Sequence, residues 1–279
     1  MLFFFKILCI YSSTPALLHA LNTMAPLTSS QTELLKWIGL FPMTADHIAI
    51  ILNPSYFQEL PILLRIIGRS AFLIFGFIIA ANLSRPEVNV KKYLIRMLGW
   101  ACIAQIAYQW VFAQSLYTIE ELNILFQFFA VITFIYAGQM LFKPQLTYKI
   151  IGIIAALLAF CVAYVSDYDL RGLIYCVSSY IYIKVAKTPH QQLCGAGVLI
   201  AIAIAQNASM LSAYFGSILF ILPIIVISFT VLLLTYPEKF ISIPSLSIPR
   251  PRSTIFKNFF YMYYPLHLII LKLLSTFIR

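Results

Sequence analysis

Nine long apolar runs, separated by short polar segments, determine what this chain can fold into. The runs lie near residues 34–52, 62–83, 93–113, 122–142, 147–165, 170–187, 193–211, 216–236 and 258–278. A membrane-spanning helix needs about 20 predominantly apolar residues. Short connections between such helices make successive helices antiparallel neighbours. The sequence therefore predicts an all-α fold, a polytopic integral membrane helical bundle of about nine transmembrane helices.

The composition excludes an ordinary soluble protein. Charged residues make up only 10% of the chain and hydrophobic residues 62%, whereas a soluble domain carries roughly 25% charged residues. The net charge is +10, from 19 Lys and Arg against 9 Asp and Glu. Because the basic residues lie between apolar runs, this charge indicates contact with a lipid bilayer, and no nucleic-acid partner is expected.

The distribution of Lys and Arg predicts the orientation of the bundle, because cytoplasmic loops are enriched in these residues. Alternate connections carry them, from Arg85, Lys91 and Lys92 to the segment 239–257. The connections at 53–61 and 114–121 carry only acidic charges. We therefore expect the N-terminus of helix one to be cytoplasmic and the C-terminus to lie outside.

The first 32 residues form an uncertain N-terminal leader, and residues 33–279 are predicted to form a single domain. The stretch 2–10 resembles the apolar part of a signal peptide, but Lys6 interrupts it and no strong small-residue cleavage site follows. A signal, an extra span and translated upstream sequence all stay open. A chain start at Met24 is the preferred interpretation.

The five cysteines occur singly, and we predict that they are small apolar packing residues: Cys9, Cys102, Cys161, Cys176 and Cys194. A structural zinc site needs several Cys or His ligands that converge. No metal is therefore expected.

A few ionisable residues lie inside the apolar runs, where each costs several kcal/mol to insert and is a functional candidate. They are Asp46 and His47 on helix one, Arg65 and Arg69 on helix two, and His267 on helix nine. At about 1.5 Å per residue, Asp46 and Arg69 lie at similar depths, so an Asp46–Arg69 contact is expected to neutralise both charges. Arg65 lies one turn from Arg69 on the same face.

His47 is expected to turn toward the centre of the bundle, where His267 lies at similar depth. Successive helical residues point about 100° apart, so His47 cannot share the direction of Asp46. An imidazole suits proton transfer near neutral pH. A buried ion pair beside a hydrogen-bonded histidine is the competing interpretation, and His267 could equally serve a carbonyl freed by Pro265.

Other polar residues in the runs suit packing or capping roles as well as substrate contacts. Gln105, Tyr108 and Gln109 lie on helix three, and Asn123 opens helix four.

The ordered set of short motifs resembles the TraX family over about residues 33–278. The motifs are 43–48 (MTADHI), 68–75 (GRSAFLIF), 82–85 (NLSR), 96–100 (RMLGW) followed by Gln105 and Tyr108, 123–126 (NILF), 169–172 (DLRG) and 263–268 (YYPLHL). Over residues 170–236 the resemblance is weak, apart from the motif at 169–172.

The resemblance implies a multi-pass protein of the bacterial inner membrane that acetylates the N-terminal alanine of a conjugative pilin subunit. Acetyl-CoA is the implied acyl donor, and the pilin is the implied partner. The family is also distantly similar to transmembrane acyltransferases that use a membrane-embedded histidine. By position, His47 and Asp46 match the Asp-His motif, Arg69 matches the Gly-Arg motif, and His267 matches the Pro-x-His motif.

Together these observations give a predicted site. His47, Asp46 and His267 are the predicted catalytic residues, with His47 as the base that takes a proton from the amine. The predicted substrate-binding and donor-binding residues are Arg69, Arg65, Arg85, Arg96, Gln105 and Asn123. Lys91 and Lys92 are further candidates for the donor's phosphates. Direct transfer and a covalent acetyl-histidine both stay open.

Two other function classes compete with this prediction. An O-acyltransferase of a lipid or glycan would use the same buried site. A noncatalytic transporter or assembly protein would use the buried charges for a substrate path or for helix register. The oligomeric state is not visible in the sequence.

Overall fold

A computed structural model describes residues 27–52, 60–112, 121–241 and 254–278. Within these ranges the structure is helical and contains no strands. The long helices are α1 (Ser29–Ile51), α2 (Leu60–Leu83), α3 (Val90–Phe112), α4 (Ile124–Leu141), α5 (Leu146–Tyr164), α6 (Asp169–Val185), α7 (Pro189–Gln206), α9 (Ile221–Thr235) and α11 (Thr254–Ile278). The short helices are α8 (Ala208–Ala213), a 3₁₀ turn (Ile218–Phe220) and α10 (Pro237–Phe240).

Each predicted apolar run coincides with a long helix in the described residues, which confirms the all-α prediction. The largest difference falls at 193–211, where Asn207 interrupts the run: α7 ends at Gln206 and a separate short helix, α8, follows. The amide of Asn207 donates to the Ala203 carbonyl at 2.8 Å, a local bond that competes with helix continuation.

Four helices in the described ranges are long and apolar enough to cross a membrane: α1, α2, α4 and α5. The outer face of α5 is strongly apolar, with Ile154 and Leu157 more than half exposed. Exposed apolar area of this extent is typical of a lipid-facing surface. The count of nine spans and the cytoplasmic start of α1 stay predictions, and the leader 1–26 lies outside the described residues.

The first two helices form the scaffold of the site as an antiparallel hairpin. Arg85, beyond the end of α2, donates to the Thr32 hydroxyl near the start of α1 at 3.3 Å. At the other end of the hairpin, Arg65 contacts Asp46. We call the end where α1, α3 and α11 begin and α2 finishes the basic end of the bundle, because Lys36, Lys92 and Arg96 lie near it.

Helix α4 begins well inside the bundle rather than level with the far end of α3. Asn123 caps α4 by accepting from the Leu125 N–H at 2.9 Å, and its amide donates to the Ala101 carbonyl at 2.9 Å. Its backbone N–H also donates to Gln105 at 2.9 Å. Gln105 precedes Phe112, the last residue of α3, by seven positions, so α4 starts about 10 Å short of that end.

The connection between α5 and α6 is held at the same depth. The Leu122 N–H donates to the Val165 carbonyl at 2.9 Å, and the Asp167 N–H donates to the Leu122 carbonyl at 3.1 Å. Gly172 permits this approach, because a Cβ there would lie 2.7 Å from Tyr168 Cβ and 3.0 Å from Phe72. The two recessed segments carry acidic side chains, notably Asp167, into the bundle.

Candidate active site

Two arginines hold Asp46 on the wall between α1 and α2. Arg65 Nη1 donates to both carboxylate oxygens of Asp46, at 3.0 Å and 2.9 Å, and Arg69 Nη2 donates to one of them at 3.3 Å. The expected Asp46–Arg69 contact is therefore confirmed. The structure adds Arg65 as the partner with the shorter bonds, because one turn of α2 brings both guanidinium groups to the same carboxylate.

Gly68 makes this ion-pair network possible. A Cβ at Gly68 would lie 2.5 Å from Asp46 Cβ and 2.6 Å from Asp46 Oδ1. Such separations do not occur between real atoms, so the backbones of α1 and α2 can approach this closely only with glycine at this position. This gives a physical reason for the Gly-Arg pair at 68–69.

The buried His267 and the half-buried His47 contact each other directly. His267 Nε2 lies 2.8 Å from His47 Nδ1, and His267 Nδ1 lies 2.9 Å from the Tyr263 carbonyl oxygen. His267 is 5% exposed, and the His47 ring packs against Phe112 at a centroid distance of 5.9 Å. The expected approach of His47 to His267 is confirmed.

These bonds fix the tautomers of a neutral pair. A carbonyl oxygen only accepts, so Nδ1 of His267 carries a proton and donates it to Tyr263. The other nitrogen of His267, Nε2, then accepts from Nδ1 of His47. The remaining nitrogen of His47, Nε2, keeps its lone pair. His47 is thus oriented as a base by a second ring, in the way that a hydrogen-bonded partner orients a reactive imidazole.

A tyrosine and a threonine connect α1 with α11 beside the histidines. Thr44 Oγ1 donates to the Leu40 carbonyl at 2.8 Å and lies 2.7 Å from the Tyr263 hydroxyl. Because Thr44 has one hydroxyl proton, Tyr263 donates in the second bond. This contact fixes the residue whose carbonyl orients His267.

A cavity of about 430 Å³ extends from the basic end to this site. Its volume lies in the range of about 300–1,000 Å³ that is typical of small-molecule sites. Lys36, Lys92 and Arg96 line it near the basic end, and Asp46 and His47 line it deeper in the bundle. His47 follows Lys36 by eleven positions of α1, a rise of about 16 Å.

The walls change in chemistry along this length. The middle section is apolar and is lined by α2 side chains including Phe72, Phe75 and Ile79. Beyond it, Asp167 and Tyr168 line the cavity from the recessed connection between α5 and α6. The arrangement provides charge for an anion at one end, an apolar channel, and ionisable groups at the deep end.

The structure divides the predicted site residues into two groups. Arg96, Asp46 and His47 line the cavity, and Arg65, Arg69 and His267 contact those residues. The other three make contacts elsewhere: Arg85 donates to the Leu27 carbonyl at 3.1 Å, and Gln105 and Asn123 bond each other at the start of α4. Of the candidate lysines, Lys92 lines the cavity.

Sequence reasoning missed Lys36, Tyr263 and Asp167 as parts of this region. Lys36 lies near the start of its apolar run, a position typical of a lysine that extends toward the membrane surface, so the pattern did not indicate a site residue. Tyr263 contributes through its backbone carbonyl, which no side-chain pattern can indicate. Asp167 lies in a connection between two apolar runs, and the depth of that connection depends on where α4 begins.

The fold and the site together define a class of protein: a helical protein with several candidate membrane spans, enclosing a cavity that reaches a pair of hydrogen-bonded histidines. The family model described as TraX protein matches residues 31–275. The chain belongs to the TraX family, as the motifs predicted, and is a conjugation-related protein. Neither the curated proteins nor the solved structures gave a match to the chain.

Proposed function

We propose that this protein is a membrane-embedded acetyltransferase that moves an acetyl group from acetyl-CoA to an amine, and that the amine is the N-terminus of a conjugative pilin subunit. The observation that carries the proposal is the 2.8 Å bond between His47 and His267 on the wall of a cavity, from which we infer that Nε2 of a neutral His47 acts as the base. A noncatalytic scaffold held by ion pairs does not require a histidine that a second ring orients toward a cavity.

The polarity of the cavity suits the proposed donor. Coenzyme A carries phosphates at one end and a thioester at the other, joined by an uncharged arm. Lys36, Lys92 and Arg96 supply positive charge for the phosphates, and the apolar middle section accommodates the arm. If Lys-rich and Arg-rich connections face the cytoplasm, as the sequence predicts, this mouth opens to the compartment that holds acetyl-CoA.

The proposed reaction uses His47 as a general base. The amine nitrogen attacks the thioester carbonyl carbon, the new C–N bond forms and the C–S bond breaks. The proton leaving the nitrogen passes to His47 Nε2 and then to the departing thiolate. His267 stabilises the charged form of His47 by accepting from its Nδ1, and Arg65 and Arg69 keep Asp46 from moving toward the histidines.

The decisive experiment is acetyl transfer by the purified full-length protein. Radiolabelled acetyl-CoA is incubated with a peptide that carries the N-terminal alanine of a pilin subunit, and label on the peptide is measured. His47→Ala is expected to lower the rate by about 10²-fold or more, the contribution of a general base. His190→Ala is the matched control, because His190 is exposed on α7 beside Cys194.

Intact-mass measurement of pilin from cells that lack the protein tests the acceptor. Pilin without an acetyl group supports the proposal, and pilin that keeps the group rejects this acceptor. Transfer of label to a lipid or a glycan in place of the peptide would favour the O-acyltransferase alternative. Absence of label on all acceptors, from protein shown to be folded, would favour a transporter or assembly protein.

A further inference from the structure

Asp167 is a carboxylate on the cavity wall that no described side chain binds directly, although Arg65 and Arg69 act on it from a distance. Asp46 is held by two arginines, and Glu121 accepts a hydrogen bond from the Tyr108 hydroxyl at 2.8 Å. Within residues 27–52, 60–112, 121–241 and 254–278, the side chain of Asp167 has neither an ion pair nor a hydrogen bond. Its exposed surface faces the cavity that His47 also lines.

Asp167 lies on the same cavity wall as Asp46 and His47 and interacts electrostatically with Asp46. Tyr168, the next residue, stacks on Phe72 with a centroid distance of 4.0 Å and an angle of 15°. Phe72 is one helical turn from Gly68, which touches Asp46. The recessed connection between α5 and α6 therefore places Asp167 within about one helical turn of the level of Asp46, the residue before His47.

The charges around this level do not balance. Among the described residues whose charges act on Asp167, Arg65 and Arg69 contribute two positive charges, and Asp46, Glu121 and Asp167 itself contribute three negative charges when ionised, so the formal sum is 2 − 3 = −1. A carboxylate on a cavity wall without a direct partner attracts a cation, and a bound cation would supply the ion pair that the described side chains do not. The deep end of the cavity is thus electrostatically suited to a cation, in contrast to the basic end.

We propose that Asp167 binds the ammonium group of the acceptor and so selects an amine over a hydroxyl. This inference rests on the proposed function and adds the residue that recognises the acceptor. Donor and acceptor then meet at His47, with the anionic donor held near Lys92 and Arg96 and the cationic acceptor held by Asp167.

Asp167 is also suited to remove the first proton from the acceptor. Burial, with repulsion from Glu121 and Asp46, raises the pKa of the Asp167 carboxyl to about 7. A peptide α-amino group has a pKa of about 7.7–8.0, so a proton passes between the two groups at little cost. Arg65 and Arg69 oppose this rise in pKa, and three tyrosine hydroxyls face the same carboxyl: Tyr108, Tyr168 and Tyr264.

The proton balance of the full reaction is then complete. The ammonium gives one proton to the Asp167 carboxylate and becomes a neutral amine. The amine attacks the thioester, and its second proton passes through His47 Nε2 to the thiolate that leaves. Asp167 releases its proton to water when the amide product departs.

The test compares two peptides that differ only in the N-terminal ammonium group. The full-length protein is given a peptide beginning with alanine and its desamino analogue, and the affinity of each is measured without acetyl-CoA. A hydrogen bond to a charged group corresponds to a preference of about tenfold or more for the ammonium peptide. Asp167→Asn is expected to abolish this preference, and Asp169→Asn, at the exposed pair with Arg171, is expected to keep it.

Three outcomes overturn the inference: equal affinity of the wild-type protein for the two peptides, an undiminished preference in folded Asp167→Asn, or the same loss in Asp169→Asn. Should Asp167→Asn fail to fold, the wild-type preference is measured one unit below and one unit above pH 7. A larger preference at the higher pH supports the inference, since Asp167 ionises between the two conditions. An unchanged preference overturns it.

Acetyl transfer from acetyl-CoA is measured in parallel, so that failure of the proposed function is distinguishable. A wild-type protein that prefers the ammonium peptide through Asp167 but never acetylates it contradicts only the proposed function. A protein that acetylates the peptide but shows no ammonium preference contradicts only the role of Asp167.

Discussion

Nδ1 of His47 and Nε2 of His267 lie 2.8 Å apart, although 220 positions separate the two residues in the chain. The bond joins α1 to α11, and the Tyr263 carbonyl extends it by one further acceptor. In this hydrogen-bonded chain of two neutral rings and one carbonyl, the nitrogen left to act as a base is His47 Nε2. Substitutions that break this hydrogen-bonded chain are therefore expected to lower the rate of acetyl transfer, and substitutions beside it are expected to affect only packing.

Replacing His267 tests whether it orients His47. His267→Ala is expected to lower kcat for acetyl transfer about 10- to 100-fold, the usual cost of losing a residue that orients a functional imidazole. The KM for acetyl-CoA is expected to stay unchanged, since His267 lies behind His47 as seen from the cavity. His267→Gln is expected to recover part of the rate, because the Gln oxygen can accept from His47 Nδ1.

Tyr263→Phe is the matched control for this prediction. It removes the hydroxyl bonded to Thr44 but keeps the backbone carbonyl that accepts from His267. An equal loss of kcat in Tyr263→Phe and His267→Ala would mean that the contact between α1 and α11, rather than the ring orientation, supports the activity.

The two arginines on Asp46 are predicted to contribute unequally to stability. The Arg69 side chain is 16% exposed and the Arg65 side chain 38% exposed. Arg69→Met is expected to lower the free energy of unfolding by about 3 kcal/mol, as for a broken buried pair. Arg65→Met is expected to lower it by about 1 kcal/mol, because solvent screens the more exposed pair.

Equilibrium unfolding of each purified variant in mild detergent measures these two values. Asp46→Asn with Arg69→Met completes a double-mutant cycle. Additive losses in that cycle would show that the two residues do not interact, contrary to the geometry.

Gly68→Ala is predicted to separate α1 from α2 at the site. The added Cβ would lie 2.5 Å from Asp46 Cβ, so the helices must move apart and the bonds to Arg65 and Arg69 must lengthen. We expect a lower melting temperature and a lower rate of acetyl transfer. Gly99→Ala is the control, because a Cβ there meets nothing within 4 Å and alanine is the better helix former. A melting temperature for Gly68→Ala at or above that of the control contradicts the prediction.

Adjacent lysines on α3 separate donor binding from general surface charge. Lys92 lines the cavity, and Lys91 is exposed outside the lining found in the described part of the chain. Lys92→Gln is expected to raise the KM for acetyl-CoA about tenfold, the cost of one charge-assisted hydrogen bond. Lys91→Gln is expected to leave it unchanged. Steady-state kinetics measure both values. An equal rise in the KM for acetyl-CoA in the two variants would mean that both lysines act only through long-range electrostatic attraction of the donor.

The raised pKa of Asp167 predicts how stability depends on pH. The carboxyl has a pKa of about 7 in the folded protein and about 3.9 in an unfolded chain, so the folded state binds more protons between these values. The stabilising contribution is fully present below about pH 4 and is lost as pH rises toward 7. Melting temperatures of wild-type and Asp167→Asn proteins across this range should therefore diverge, with the wild type losing more stability. If the melting temperatures of the two proteins change in parallel with pH, the pKa of the Asp167 carboxyl lies in its ordinary range.

The fold and the centre of the site could be predicted from the sequence because each depends on local patterns. Apolar runs identified every long helix among the described residues, and Asp46, His47 and Arg69 were identified by the cost of placing charge in such a run. A short connection between α1 and α2 was enough to expect the Asp46–Arg69 contact.

The rest of the site depends on where irregular segments lie in three dimensions. Asp167 belongs to a connection whose depth is determined by Asn123, through bonds to Ala101 and Gln105. Hydropathy carries no information on that depth. Arg85 was predicted from its position to bind the acyl donor, but its guanidinium group donates to the Leu27 carbonyl instead.

The recessed start of α4 has a consequence for the surrounding bilayer. At 18 residues, α4 is about 27 Å long, which is shorter than the roughly 30 Å hydrocarbon core of a typical membrane. A short apolar helix thins the bilayer beside it. In a protein embedded as we propose, this mismatch brings the aqueous boundary toward Asp167, so an acceptor peptide has less hydrocarbon to cross before its terminus reaches His47.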